Sequence, residues 1–334
     1  MKFCLYFITA LVCLTMSVMP ARAQESFSGA RQNEIAPKRI FSFPFKDVDK
    51  YPVITAVTLA PDGKQIYSGG DDCQIAIWNQ ESGELVRNFV AHSDWIRAIA
   101  LSPDGSRAAS VDQRGEIKIW DTSDFSLVRT VQEKVPGANA LVYSPSGKVL
   151  AVCGLEAQVT LLDTNNEKVL GKWPTPATSV ETVVFSPDGT LLAAGGRTGK
   201  VRVWDTITGK VLYDLSELRG RVRALAFSND GSQLAAGGDD REIALWDTNS
   251  GRRALSITLN EGKVFSLVFC GDLLAWGDSL NTIHFQDLQR NKEVATATGH
   301  TGTIATLIYH PENDELASGS FDTTVRYWDL GQIR

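Results

Sequence analysis

One mark recurs along this chain at near-constant intervals: Trp78-Asn79, Trp120-Asp121, Leu162-Asp163, Trp204-Asp205, Trp246-Asp247, Gln286-Asp287 and Trp328-Asp329. The intervals are 42, 42, 42, 42, 40 and 42 residues. Whole segments move with the marks: residues 186–205 read SPDGTLLAAGGRTGKVRVWD, 102–121 SPDGSRAASVDQRGEIKIWD, and 228–247 SNDGSQLAAGGDDREIALWD. A period of about 40 residues means one supersecondary unit copied in series, with neighbouring copies burying one another.

The unit reads as strand throughout. In KVRVWD, Val201 and Val203 alternate with Lys200, Arg202 and Trp204, the period of two that a packed sheet requires. The stretch ETVVFSPDGTLLAAGG predicts two strands joined at Pro187-Asp188-Gly189, where Pro fixes φ and Gly accepts the positive φ of a tight turn. TITGKVLYDL supplies a further hairpin turn at Gly209. Four strands about ten residues apart leave no room for a helix. Seven such units from about residue 51 onward predict an all-β, seven-bladed β-propeller. The units resemble WD40 repeats, and the resemblance covers residues 51–334.

The last copy has three strands and stops four residues after Leu330. KRIFSFPF, residues 38–45, alternates Ile40, Ser42 and Pro44 with Phe41, Phe43 and Phe45. It is expected to supply the missing outer strand of the seventh blade and close the ring, so that no long sheet edge is left open. The expected organisation is a signal peptide over 1–23, a linker over 24–37 and one propeller over 38–334.

The N-terminus carries Lys2, the apolar run FCLYFITALVCLTMSVM and Ala21-Arg22-Ala23, the pattern of a secretory signal cut before Gln24. The alternative is an uncleaved anchor. Cleavage implies a periplasmic or secreted protein with no membrane insertion afterwards. It takes Lys2 and Arg22 from the 33 basic residues, leaving 31 against 39 acidic and a formal charge of −8. That balance disfavours nucleic acid, which needs a basic excess to displace counterions. Cys73, Cys153 and Cys270 remain, in different repeats, and read as buried unpaired thiols.

The chain has no nucleophile elbow, P-loop, H-E-x-x-H or C-x-x-C. No cofactor is expected. The paired acids Asp71-Asp72 and Asp239-Asp240 are expected to leave one free carboxylate per turn, too few oxygens for a hard cation, and no metal site is expected. The WD40 resemblance implies a buried structural network of His, Ser, Asp and Trp. His300, Ser318, Asp322 and Trp328 match it fully. His92, Ser110 and Trp120 match with Arg114 in the Asp slot, Ser68, Asp72 and Trp78 match without the His, and Asp240 and Trp246 match in the fifth unit. On this reading those His and Asp residues are scaffold, not catalysts.

The resemblance also implies that the loops entering each first strand, and those between second and third strands, share one partner-binding face. Repeat phase places Trp95, Arg97, Arg197, Arg221, Arg223, Lys263, Phe265 and Phe321 there, with Glu181 and Asp239 among them. Five cations on an acidic chain, beside Trp and Phe, have the composition of an interface hot spot. The opposing reading is that they are ordinary rim residues paired with Asp239 and Glu181. The expectation is a non-catalytic, monomeric scaffold that takes a protein or peptide with acidic and apolar groups. The other reading is an enzyme or accessory subunit holding an anionic small molecule in the channel mouth. Without Trp, the third and sixth blades are expected to be the weakest.

Overall fold

A computed structural model of the chain describes residues 33–42, 53–216 and 218–334. The signal and anchor readings of residues 1–23, and the end of the closing strand at Phe43, Pro44 and Phe45, lie outside the described residues.

The first six units each fold as a four-stranded antiparallel meander, and the seventh contributes three strands of its own blade. Blade four shows the pattern, with strands Val180–Phe185, Leu191–Gly196, Val201–Asp205 and Val211–Leu215 hydrogen-bonded in that order. Its local logic lies in the turns. Asp188 accepts from the Ser186 hydroxyl at 2.6 Å and from the Thr190 amide at 3.0 Å, while Gly189 takes φ +72°. That Gly also packs against Pro145 of the preceding blade, where an added Cβ would lie 3.4 Å from the proline ring. Asp205 caps its own turn by accepting from the Thr208 amide at 2.7 Å. Thr206 ties that turn back to the Gly189 carbonyl at 2.6 Å, and Thr122, Thr164 and Thr248 do the same in their blades. In blades two to five the Thr after the repeat mark therefore locks one hairpin to the next.

The first strands of successive blades lie side by side around the centre, and Ile304–His310 of the last blade packs against Ile54–Leu59 of the first. The ring is closed. Among the described residues its core is seven apolar layers, each shared by two adjacent blades. Trp78, Trp204, Trp246 and Trp328 are buried in them.

Closure runs as expected, with one addition. Arg39–Ser42 is the outer strand of blade seven, antiparallel to Thr324–Asp329 with Phe41 opposite Val325. Phe41 is buried against Trp78 and Tyr327. Glu315 fixes this strand from below: its buried carboxylate accepts from Lys38 Nζ at 2.7 Å, Arg39 Nη2 at 2.7 Å and Gln80 Nε2 at 2.8 Å. The end of the expected linker is also structured. Asn33–Ile35 pairs in parallel with Lys292–Ala297 as a fifth strand on blade six, and Ile35 is buried there.

The blades without a Trp at the repeat mark are filled by other means. Leu162 is buried in blade three. In blade six Trp276 stands on the neighbouring strand, opposite His284, and is buried where other blades carry the network serine. The indole has moved one strand inward, and the layer is still filled.

Candidate functional site: the channel mouth and its rim

Seven positions in register, one per blade, line the mouth of the central channel: Thr55, Arg97, Asn139, Glu181, Arg223, Phe265 and Ala305. Each sits one residue into, or next to, the start of an inner strand, so the ring geometry alone brings them together. Two of them, with one neighbour, stitch the ring. Thr55 donates to the Ile96 carbonyl, Asn139 to the Val180 carbonyl at 2.9 Å, and nearby Ser266 to the Ile304 carbonyl at 3.3 Å, each reaching the next blade. The mouth encloses about 250 Å³.

Blades four to six form a continuous charge network on the rim. Glu181 lies 3.5 Å from Arg197 and 3.7 Å from Arg221. Asp239 lies 2.7 Å from Arg223, 3.7 Å from Lys263 and 3.9 Å from Arg221. Burial works against the Asp239 charge, but the Arg223 hydrogen bond and the surrounding cations hold the carboxyl below the usual range. The cations are thus paired, four of them sharing two carboxylates. The Arg223 guanidinium also lies 4.5 Å over the Phe265 ring, and Phe265 meets Phe321 edge-on at 6.5 Å. Phe321 remains 43% exposed.

On the other side of the mouth, Trp95 is 49% exposed, carried by a loop in which Asp94 caps the Trp95 amide at 2.8 Å and pairs with Arg114 at 3.0 Å. Arg97 is half-buried and reaches only Asn139 Oδ1, at 3.4 Å. Its Nε is buried without a partner, and burial lowers the guanidinium pKa. The eight expected face residues therefore separate into a linked group of six on blades four to seven and the pair Trp95 and Arg97 on blade two.

The expectation of free carboxylates in the paired acids is overturned. Asp71 accepts from the Val53 amide at 2.7 Å, and Asp239 is the hub described above. Their partners do serve the turns: Asp72 accepts from the Gln74 amide at 3.1 Å and Asp240 from the Arg219 amide at 2.7 Å.

The polar scaffold sits behind this face. In blade seven Trp328 Nε1 donates to Ser318 Oγ at 2.8 Å, Ser318 meets His300 Nε2 at 2.8 Å, and His300 Nδ1 meets Asp322 at 2.7 Å. Burial lowers the His300 pKa despite that carboxylate, and because an ionised carboxylate can only accept, Nδ1 is the donor. Blade two repeats the first three members, with Trp120 on Ser110 at 2.8 Å and Ser110 on His92 at 2.7 Å. Trp78 donates to Ser68 at 3.0 Å, and Trp246 of blade five is buried like its counterparts.

Two carboxylates escaped the sequence reading. Asp112 and Asp278 are buried at second-strand ends where blades one, four and five have Gly70, Gly196 and Gly238. Asp278 lies 3.3 Å from His284 Nε2, whose other nitrogen lies 3.3 Å from Glu293. The signal was present as Ser-Val-Asp and Trp-Gly-Asp in place of Ala-Gly-Gly.

The family described as "WD domain, G-beta repeat" matches residues 45–79, 83–121, 167–205, 209–247 and 291–329. The unmatched units are those whose mark holds Leu162 or Gln286. Similar proteins include F-box/WD repeat-containing protein 10 of Mus musculus, 38% identical over 61 residues, which is 18% of this chain and 6% of that protein. Cell division control protein 4 of Saccharomyces cerevisiae is 36% identical over 63 residues, 19% of this chain and 8% of that protein. The chain thus matches a small part of each relative. With its repeats matched over more than half its length and its seven blades closed in a ring, this chain belongs to the WD40 family.

Proposed function

We propose that this propeller is a non-catalytic protein-interaction scaffold, working outside the cytoplasm, whose channel-mouth face receives an extended segment bearing acidic and apolar groups. WD40 propellers are typically protein-interaction scaffolds, which supports the general reading. The observation that carries the choice of face is the shape and chemistry of the mouth. Its 250 Å³ falls below the roughly 300–1,000 Å³ of small-molecule sites, while Trp95 and Phe321 stand exposed around it. The rim offers Arg97, Arg197, Arg221, Arg223 and Lys263 against Glu181, Asp239 and Asp71, so an acidic segment finds a cationic excess. A closed ring presents these groups already in place, which lowers the ordering cost of binding.

The test is a pull-down from the host's own cell-envelope extract, with wild type beside an Arg97→Ala/Arg221→Ala/Arg223→Ala variant. A protein retained only by wild type supports the scaffold and its face. Equal retention by both moves the face elsewhere, and no partner for either shifts weight to an anionic small molecule. The export reading predicts a chain of intact mass beginning at Gln24 in the envelope or medium fraction. A full-length chain confined to the cytoplasm would refute it.

A further inference from the structure

Blade two holds three metal-capable donors at one place. His92 Nδ1 lies 3.6 Å from Asp112 Oδ2 and 3.9 Å from Glu116 Oε2, and all three donor atoms lie within 4.8 Å of one another. The His92 and Asp112 side chains are 0% and 1% exposed. Neither His92 Nδ1 nor Asp112 Oδ2 has a hydrogen-bond partner, and the two atoms face each other. Two unpartnered buried polar atoms in one place call for an occupant.

The rest of the cluster behaves as a supporting shell. Ser110 Oγ holds His92 through Nε2 at 2.7 Å, which fixes the ring with Nδ1 turned toward the carboxylates. Asp112 Oδ1 accepts from the Glu116 amide at 2.8 Å, leaving Oδ2 as the atom presented. Lys118 donates to the Ala91 carbonyl at 2.8 Å and lies 3.2 Å from Glu116 Oε2, so one of the two carboxylate charges is offset. An imidazole that ligates a metal is neutral, so with Lys118 offsetting one carboxylate a net negative charge is left for the ion in a mostly buried pocket.

We propose that His92 Nδ1, Asp112 Oδ2 and Glu116 Oε2 form a binding site for a divalent transition-metal ion, Zn²⁺ in the first instance. One imidazole nitrogen and two carboxylate oxygens suit that ion, whereas Ca²⁺ and Mg²⁺ need more oxygens and disfavour the imidazole. Tetrahedral Zn²⁺ with ligand bonds of 2.0–2.2 Å sets donors roughly 3.3 Å apart. His92 and Asp112 are already close to that separation. Glu116, with a side chain 27% exposed, closes the remaining gap and marks the way in. The fourth position is left for water.

The experiment titrates chelator-stripped protein with Co²⁺, read by its visible d–d absorption, and with Zn²⁺ by calorimetry. Wild type is compared with Glu116→Gln and Asp112→Asn. The expected result is one Zn²⁺ per chain, displacing Co²⁺, insensitive to excess Mg²⁺, and weakened at least tenfold in both variants. Metal-free Glu116→Gln should melt with the wild type, which separates a lost ligand from a lost fold. Absence of Zn²⁺ binding by wild type, or equal binding by Glu116→Gln, would overturn the assignment.

Discussion

In blade seven the His300 imidazole meets Asp322 at 2.7 Å; in blade two the His92 imidazole stops 3.6 Å short of Asp112, although both rings hold a serine hydroxyl equally closely. The difference comes from where the carboxylate is attached. Asp322 sits in the turn after the second strand, where the Thr301 amide at 2.9 Å and the Thr324 hydroxyl at 2.7 Å aim it at the ring. Asp112 sits two residues after Ser110, at the strand end, and the Glu116 amide draws one oxygen away. Moving a carboxylate by two residues thus changes a saturated buried network into one with capacity to spare. Blade six gives a third outcome from the same strand-end position: Asp278 reaches a ring, but that of His284, which comes from the neighbouring strand and is stacked on Trp276.

The comparison rests first on the shared half of the network. Trp328→Ala and Trp120→Ala should each cost roughly 3–5 kcal/mol in chemical denaturation, since both indoles are buried and both donate to a serine at 2.8 Å. A near-neutral result for either would break the equivalence of the two blades. Blade six provides the next contrast. Burial disfavours charge on His284, but hydrogen bonds to Asp278 and Glu293 outweigh it and raise the pKa to about 9. The imidazolium therefore adds stability that is complete below the unfolded value of about 6.5 and fades as pH rises through about 9. Wild type should lose roughly 2–3 kcal/mol across that window, and His284→Gln should lack that slope. Equal slopes would show that the two carboxylates do not hold the proton.

The smallest effects address the carboxylates themselves. Asp322→Asn should cost about 1–3 kcal/mol at neutral pH, because charge-assisted bonds from His300, Thr301 and Thr324 are weakened together. Burial raises the Asp322 pKa, yet those bonds bring it well below the carboxylate norm, so this advantage is present above the unfolded value and is lost as pH falls toward the folded one. Asp112→Asn in metal-free buffer should change stability by about 0.5 kcal/mol or less, because Oδ2 has no hydrogen bond to lose. A large loss at Asp112 would show that the 3.6 Å contact is already a strong ion pair.

The period was legible because units two to five repeat the same turn chemistry, from Ser186-Pro187-Asp188-Gly189 to the Thr206 that ties it back in unit four, and the Asp or Asn mark carries it through the rest. Closure by residues near 38–45 was legible because alternation survives in KRIFSFPF and the last unit lacks a strand. The strand Asn33–Ile35 was not, since three residues are too short to display a period and its partner lies some 260 positions away. Asp112 and Asp278 were hidden for a different reason. Matching a network to its usual slots finds residues that keep their place, and these two carboxylates left theirs. Trp276 is the same case, an indole that changed strand while filling the same layer.

The N-terminal clip of Asn33–Ile35 on blade six and Arg39–Ser42 on blade seven also governs when this protein can become itself. A ribosome delivers those residues well before the strands Lys292–Ala297 and Thr324–Asp329 that pair with them, so the earlier partners in the clip must wait for the later ones. Until then each partial ring exposes the apolar face of its last blade, and pairing across so long a sequence separation is slow. Closure of the ring therefore waits on the last of these strands to emerge, and Glu315, which gathers Lys38, Arg39 and Gln80, is the latch that records it.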